Sequence, residues 1–308
     1  MTAEIRTSAE DVLAPKIRGQ WRAILSRVVR TKRGATGLAL TAVVVLVAIV
    51  GPFFSPYSPT ALVALPFQRP SATYLLGTDA LGRDVLSRVL SGGWLLLCMA
   101  LAATILGVCI GAAAGISAAY IKGRADGLIM RSADVLLAFP QLVFALLLVS
   151  IAGPKLWLIV LAVALGHAPQ VARVIRAAAL DVSERPYVRA VEIQGVPRRK
   201  VMYSEILPNL VTPLMVEAGL RMTYSIVVMA GLAFLGFGQA PPDPNWGIMI
   251  NENRVGLQSN PWAVVVPALL ISLLTIGTNT FTDAVARVAI GVERQPVELT
   301  TVVAGGQE

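Results

Sequence analysis

Apolar residues in this chain come in runs too long for the core of a soluble domain, and polar residues collect between them. Six runs stand out, at about 35–54, 93–121, 128–152, 156–175, 209–237 and 262–286. Roughly 20 helical residues cross a hydrocarbon layer about 30 Å thick. Each run is long enough, so the pattern predicts an all-α membrane protein with about six spanning helices. Pro52 and Pro56 end the first run. The intervals 55–92 and 238–261 are rich in Pro or Gly and predict irregular outer segments. Pro140 and Pro213 lie inside the third and fifth runs and predict kinks, because proline removes a backbone donor and clashes with the preceding turn.

Composition agrees with the pattern. Of 308 residues, 56% are hydrophobic and only 14% charged, where a soluble chain is nearer half and a quarter. The net charge of +8 would suit a nucleic-acid partner, but its distribution points elsewhere. With the N-terminus inside, the inner segments are 1–34, 122–127, 176–208 and 287–308. They carry most of the Lys and Arg, whereas the outer segments hold only Arg69, Arg83, Arg88, Lys155 and Arg254. That asymmetry predicts both termini in the cytoplasm and no role for nucleic acid. The expected division is a cytoplasmic segment 1–34, a transmembrane domain 35–290 and a cytoplasmic tail 291–308. The first run follows a long charged lead and precedes no small-x-small site, so it reads as an anchor and not a cleaved signal.

Within the second run, Gly107, Gly111 and Gly115 repeat every fourth residue, a spacing that lets another helix of the same chain approach closely. Cys98 and Cys109 share that run, about 16 Å apart along a helix, too far for a disulfide. They read as packing residues. His167 is the sole histidine. It reads as an interfacial packing or hydrogen-bonding residue, and a multi-histidine metal site is excluded. Glu217 and Arg221, one turn apart in the fifth run, either line a polar path or pair with each other, since intramembrane charges face protein or water. Arg131 and Asp134 read as a structural pair. Asn279 and Asp283 are candidates for an inner gate or a helix-end contact. Asp79, Arg83 and Asp84 either meet an external partner or hold their own segment by salt bridges.

The segment 181–207 is longer and more patterned than a simple cytoplasmic loop. Ser183 is placed to cap a short helix, Pro186 to sit in its first turn, and Gly195 to end it in the left-handed conformation. Pro197 suits the first position of a second short helix. The first helix would stack Val188, Val191 and Ile193 on one side and show Arg189 and Glu192 elsewhere. A projecting helix–glycine–helix element of this kind predicts a dock for a soluble partner.

The stretch resembles the coupling loop of ABC importer permeases, with Gly195 as its glycine and Ile206-Leu207-Pro208 as its end; Arg189, Ala190 and Val191 stand where Glu-Ala-Ala is usual. Leu76-Gly-Thr-Asp-Ala-Leu-Gly-Arg-Asp84 and Phe234-Leu-Gly-Phe-Gly238, followed by Pro241-Pro242, Pro244 and Trp246-Gly247, resemble segments of C-type permeases of dipeptide, oligopeptide and nickel importers. Asp134-Val-Leu-Leu-Ala-Phe-Pro140 fits the same family. The resemblance implies a type I importer permease of the bacterial inner membrane, half of a translocation path completed by a B-type permease. It implies two cytoplasmic ATPase subunits seated on Tyr187, Arg189, Ala190, Glu192, Gly195 and Arg198, and an extracytoplasmic substrate-binding protein meeting Asp79, Arg83 and Asp84. Glu217, Arg221 and Asn279 are then candidates for the path. The chain lacks a Gly-x4-Gly-Lys-Ser/Thr loop, so it binds no cofactor of its own; ATP and magnesium would be used by the partner ATPases. A non-catalytic subunit carrying peptides, nickel chelates or another small solute follows. A secondary transporter would show an inverted repeat and midplane coupling ions, and a hydrolase would need a nucleophile beside His167; neither pattern is evident.

Overall fold

Helix formation follows from the solvent: hydrocarbon offers no partner to a peptide group, so each spanning segment must bond to itself. The computed structural model describes residues 17–238 and 242–293. An amphipathic helix α1 (Ile17–Arg30) precedes the first span, α2 (Lys32–Val50), and the Thr31 hydroxyl between them accepts the Gly34 N–H at 3.0 Å as an N-cap. A 3-10 turn (Gly51–Phe54) and the irregular segment 55–84 lead to short α3 (Val85–Ser91) and then α4 (Trp94–Ile121). Next come α5 (Gly123–Leu137), α6 (Gln141–Ala152) and α7 (Leu156–Ser183). The loop after α7 holds α8 (Pro186–Ile193) and one-turn α9 (Arg198–Val201). After it come α10 (Val211–Phe234), α11 (Trp246–Asn253) and α12 (Trp262–Glu293). Among the described residues, five helices are long and apolar enough to span a membrane, or six if the bent pair α5–α6 is one span.

That pair corrects the third predicted span. A kink was expected at Pro140; instead the helix breaks and α5 and α6 meet at 86°. Pro140 takes ψ 128°, and helical geometry is disfavoured for the residue before a proline, so three residues of turn replace the helix. Pro213 falls in the first turn of α10. The irregularity lies just upstream, in a π turn (Met202–Ile206) and a 3-10 turn (Leu207–Leu210). The fourth span runs to Ser183, eight residues beyond its predicted end, with Pro169 inside it. The predicted polar segment 1–34 is helical from Ile17 and gives its last residues to α2; residues 1–16 and most of the tail 291–308 lie outside the described residues.

The core is organised by one close contact. Gly107, Gly111 and Gly115 of α4 lie against Ala164, Ala168 and Ala172 of α7, small residues repeating at the same four-residue interval. A Cβ on Gly111 would sit 2.6 Å from the Ala168 carbonyl oxygen, and one on Gly115 2.6 Å from that of Ala172. The predicted small-residue seam is thus an internal helix pair. Above it, Leu96, Ala100, Ile159, Val163, Ile226 and Leu232 form the larger apolar core; below it, Ile116, Ile175, Ala179, Ile206 and Leu210 form a second.

Replacing Gly111 by Leu should lower stability by about 1–3 kcal/mol or more, because backbone would have to separate. Gly127→Ala in α5, where a Cβ meets nothing within 4 Å, should instead gain up to about 1 kcal/mol. Thermal unfolding of the two variants in detergent checks the contrast, and equal shifts would refute the seam.

Candidate functional site

Three polar assemblies stand out against the apolar bundle. The first is the loop between α7 and α10. Pro186 begins α8, Val188 is fully buried against the bundle, and Gly195 takes φ +77°, closing the helix in the left-handed conformation as expected. Arg189, Ala190, Glu192, Gly195 and Arg198 are all exposed, while Tyr187 is half-buried and its phenol is pushed above its ordinary pKa by burial. Three local expectations need correction. Ser183 does not cap α8: its hydroxyl donates to the Leu180 carbonyl at the end of α7, and Arg185 is the N-cap. Pro197 precedes α9 as its N-cap, one position earlier than predicted. Ile193 does not join Val188 on the inner side but stands 87% exposed, an apolar side chain offered to solvent beside the cations Arg198, Arg199 and Lys200.

The π turn sets how this loop meets the bundle. Val201, Ile206 and Leu210 are all buried. In an α-helix Val201 and Ile206 would point about 140° apart. Bonds closing on i→i+5 bring them to one face, and Ile206 and Leu210 anchor against α4 and α7.

The second assembly ties the two outer segments together. Asp79, Arg83 and Arg88 are buried, and with Glu252 of α11 they make two anions and two cations. Arg83 donates to Asp79 at 2.6 Å and to Glu252 at 2.7 Å; Arg88 lies 3.3 Å from Asp79 and donates to Glu252 at 3.0 Å. Asp84 caps α3, accepting the Ser87 N–H and hydroxyl at 2.8 and 2.6 Å. Asn253 accepts the Ala80 N–H, Asn260 donates to the Leu76 and Thr78 carbonyls, and the Trp246 indole donates to Val89. Asp79, Arg83 and Asp84 therefore hold their own segment, the second of the two sequence readings, and being buried they offer no surface to an external partner.

The third assembly lies inside the membrane. Thr104 of α4, Gln141 of α6, His167 of α7 and Ser225 of α10 form one hydrogen-bonded chain. His167 is fully buried, and its role is the hydrogen-bonding one. One turn on, Gln170 meets Arg221, which also pairs with Glu217 at 3.1 Å and stacks over Tyr224. Glu217 reaches a cleft of about 400 Å³ between α7, α10 and α12, also lined by Val174, Asp181, Asn209, Val216 and Ala286. Asp134 pairs with Arg173 of α7 and not with Arg131 as expected, because α5 lies across α7 there; Asp126 and Arg176 make a bidentate pair nearby. Asn279 and Asp283 are exposed, one turn apart on α12, and are not brought to Glu217 and Arg221 by any contact. Sequence reasoning missed Gln141, Gln170, Ser225, Arg88 and Glu252. The amides and the serine were legible as polar residues inside apolar runs.

Residues 107–289 match the family described as the binding-protein-dependent transport system inner membrane component, and residues 19–75 match the N-terminal transmembrane domain of oligopeptide transport permease C. The chain belongs to this permease family. It is 34% identical over 262 residues to a dipeptide transport system permease protein of Haemophilus influenzae, covering 82% of this chain and 89% of that one. It is 37% identical over 261 residues to the corresponding protein of Escherichia coli K12, covering 82% and 87%. A glutathione transport system permease protein of Pectobacterium atrosepticum is 32% identical over 271 residues, covering 87% and 89%. The permease is thus a multi-pass inner-membrane component of a multi-subunit transport system, non-catalytic by family, and its described residues hold no trio of His, Cys, Asp or Glu able to grip a metal.

In this permease, Asp79→Asn leaves two buried guanidinium groups short of an anion and should cost about 3–5 kcal/mol. Asp84→Asn keeps a capping acceptor and should cost under about 1 kcal/mol. Denaturation midpoints of the two variants check the difference.

Proposed function

We propose that this permease is half of the translocation path of an ATP-driven importer whose cargo is a dipeptide or short oligopeptide. A second, B-type permease completes the path. Two cytoplasmic ATPase subunits bind and hydrolyse ATP with magnesium, and an extracytoplasmic binding protein delivers cargo. The peptide reading rests on the named transport systems of the relatives, dipeptide in two cases and glutathione in the third.

The coupling reading is carried by one observation: α8 is held at its base by buried Val188 while Arg189, Ala190, Ile193 and Arg198 stand exposed around the Gly195 turn. A short helix gripped on one side and exposed on the other transmits a push from a soluble partner into α7 and α10. The basic face and the positive-inside pattern favour a cytoplasmic position for this loop and both termini. The path runs along the polar side of α7, α10 and α12, where Glu217, Arg221 and Asn279 lie. Intramembrane charge is tolerated where water or protein covers it, and the cleft beside Glu217 opens on that side.

Purification in mild detergent of the chain expressed with its genomic neighbours should recover an ATPase and a second permease; recovery of neither refutes the assignment. Gly195→Val forces a β-branched residue into left-handed backbone, and should abolish uptake while membrane insertion persists. Deleting exposed Ser204 converts the π turn to α-helix and turns the loop by about 100° relative to α10. Uptake should again be lost with ATP hydrolysis retained. Normal uptake in both variants would count against this loop as the coupling element.

A further inference from the structure

The break between α5 and α6 encloses a cavity of about 230 Å³ whose walls include Leu136, Phe139, Phe144 and Gly166 and whose polar groups come from Gln141 and Gln170. Its surroundings decide what it faces. Asp134 and Arg173, a half-exposed ion pair, lie on the same side of α5 and α7, one turn from Leu137 and Gln170. Two amides and an ion pair on one face of a spanning bundle are not a lipid-facing surface. This face therefore meets water or protein, as a transport path requires.

The hydrogen-bond chain fixes what each amide has left to offer. The Thr104 hydroxyl donates to the Ala100 carbonyl at 2.8 Å, so toward Ser225, 3.0 Å away, its oxygen accepts. Ser225 spends its proton on Thr104 and accepts from His167 Nε2–H at 2.9 Å. A neutral imidazole protonated at Nε2 has a bare Nδ1, which accepts from the Gln141 amide nitrogen at 3.0 Å. The Gln141 carbonyl oxygen is left over as an acceptor. Arginine has donors only, so Gln170 meets Arg221 through its carbonyl oxygen, and its NH₂ group is left over as a donor. The cavity is thus lined by an amide with a free acceptor, Gln141, and one with a free donor, Gln170, each held by a buried partner between apolar walls.

That pair is the complement of a peptide unit, whose N–H needs an acceptor and whose C=O needs a donor. We propose that the α5–α6 break is a substrate subsite in which Gln141 and Gln170 read one peptide bond while Phe139, Phe144 and Leu136 house a neighbouring side chain. The proposal rests on the peptide reading of the preceding subsection and assigns to it the residues that contact cargo inside the membrane. It explains why the span is broken here: a continuous helix across Pro140 would fill the space.

The test uses the complete reconstituted transporter with Cys98 and Cys109 replaced by alanine. A single Phe139→Cys is labelled with a maleimide during turnover with the dipeptide Ala-Phe, and Leu128→Cys, 71% exposed on α5, serves as the comparison. Ala-Phe should slow labelling at 139 several-fold and leave labelling at 128 unchanged. Gln170→Glu keeps an acceptor for Arg221 but removes the free NH₂. With the complex still assembled, its Ala-Phe uptake at saturating binding protein should fall about tenfold, the loss of one hydrogen bond. Unchanged labelling at 139 in a complex that imports Ala-Phe overturns the subsite while sparing the peptide reading, as does undiminished uptake by Gln170→Glu. A parent complex that imports no peptide of any kind sinks both.

Discussion

The closeness of α4 to α7 is the constraint on which the remainder of the structure depends. Between apolar helices in lipid there is no hydrophobic drive to associate, and dispersion falls off steeply with separation. Three glycines facing three alanines bring two 28-residue helices nearly backbone to backbone over more than two turns. That seam makes a rigid pair to which α5, α6 and α10 attach, and its lower end supplies the apolar floor for Ile206 and Leu210. The loop and the intramembrane polar chain both take their geometry from it.

Polar groups are placed around this pair in three layers. The outermost is a neutral charge cluster, buried and shared between segments far apart in sequence. The middle is the Thr104–Ser225–His167–Gln141 chain with Gln170 and Arg221 beside it, every link between different helices or to the seam itself. The third is the exposed basic face of the loop around Gly195. The first two layers join elements that the apolar core alone would leave free to slide, and each is satisfied differently, one by opposite charge and the other by directional hydrogen bonds.

Much of this was legible in the residues and some was not. Apolar runs located the spanning helices, because length and hydropathy are local properties, although α7 and α12 continue seven or eight residues past their predicted ends. The left-handed turn at Gly195 and the first-turn position of Pro186 were readable because backbone restrictions act on single residues. What failed depended on three-dimensional partners. Asp134 was assigned to Arg131 by helical spacing, but α5 crosses α7 and delivers Arg173. Ser183 has the chemistry of a cap yet lies inside α7, which continues past its last apolar residue. Pro140 announced a disturbance, though whether it bends or severs a helix is decided by neighbours that fill the gap. Ile193 followed the periodicity of α8, but a helix of two turns has too little arc to bury every apolar residue.

The outer charge cluster bears on the order in which the chain assembles. Arg83 and Arg88 are translated early, yet the carboxylate both of them grip, Glu252, follows them by 169 and 164 positions. Until the fifth span has crossed and released its outer segment, these guanidinium groups have only Asp79 for company and must stay hydrated. The cluster therefore cannot close before α11 has been made. A chain interrupted before residue 252 would leave both guanidinium groups one carboxylate short and the segments on either side of the bundle untied.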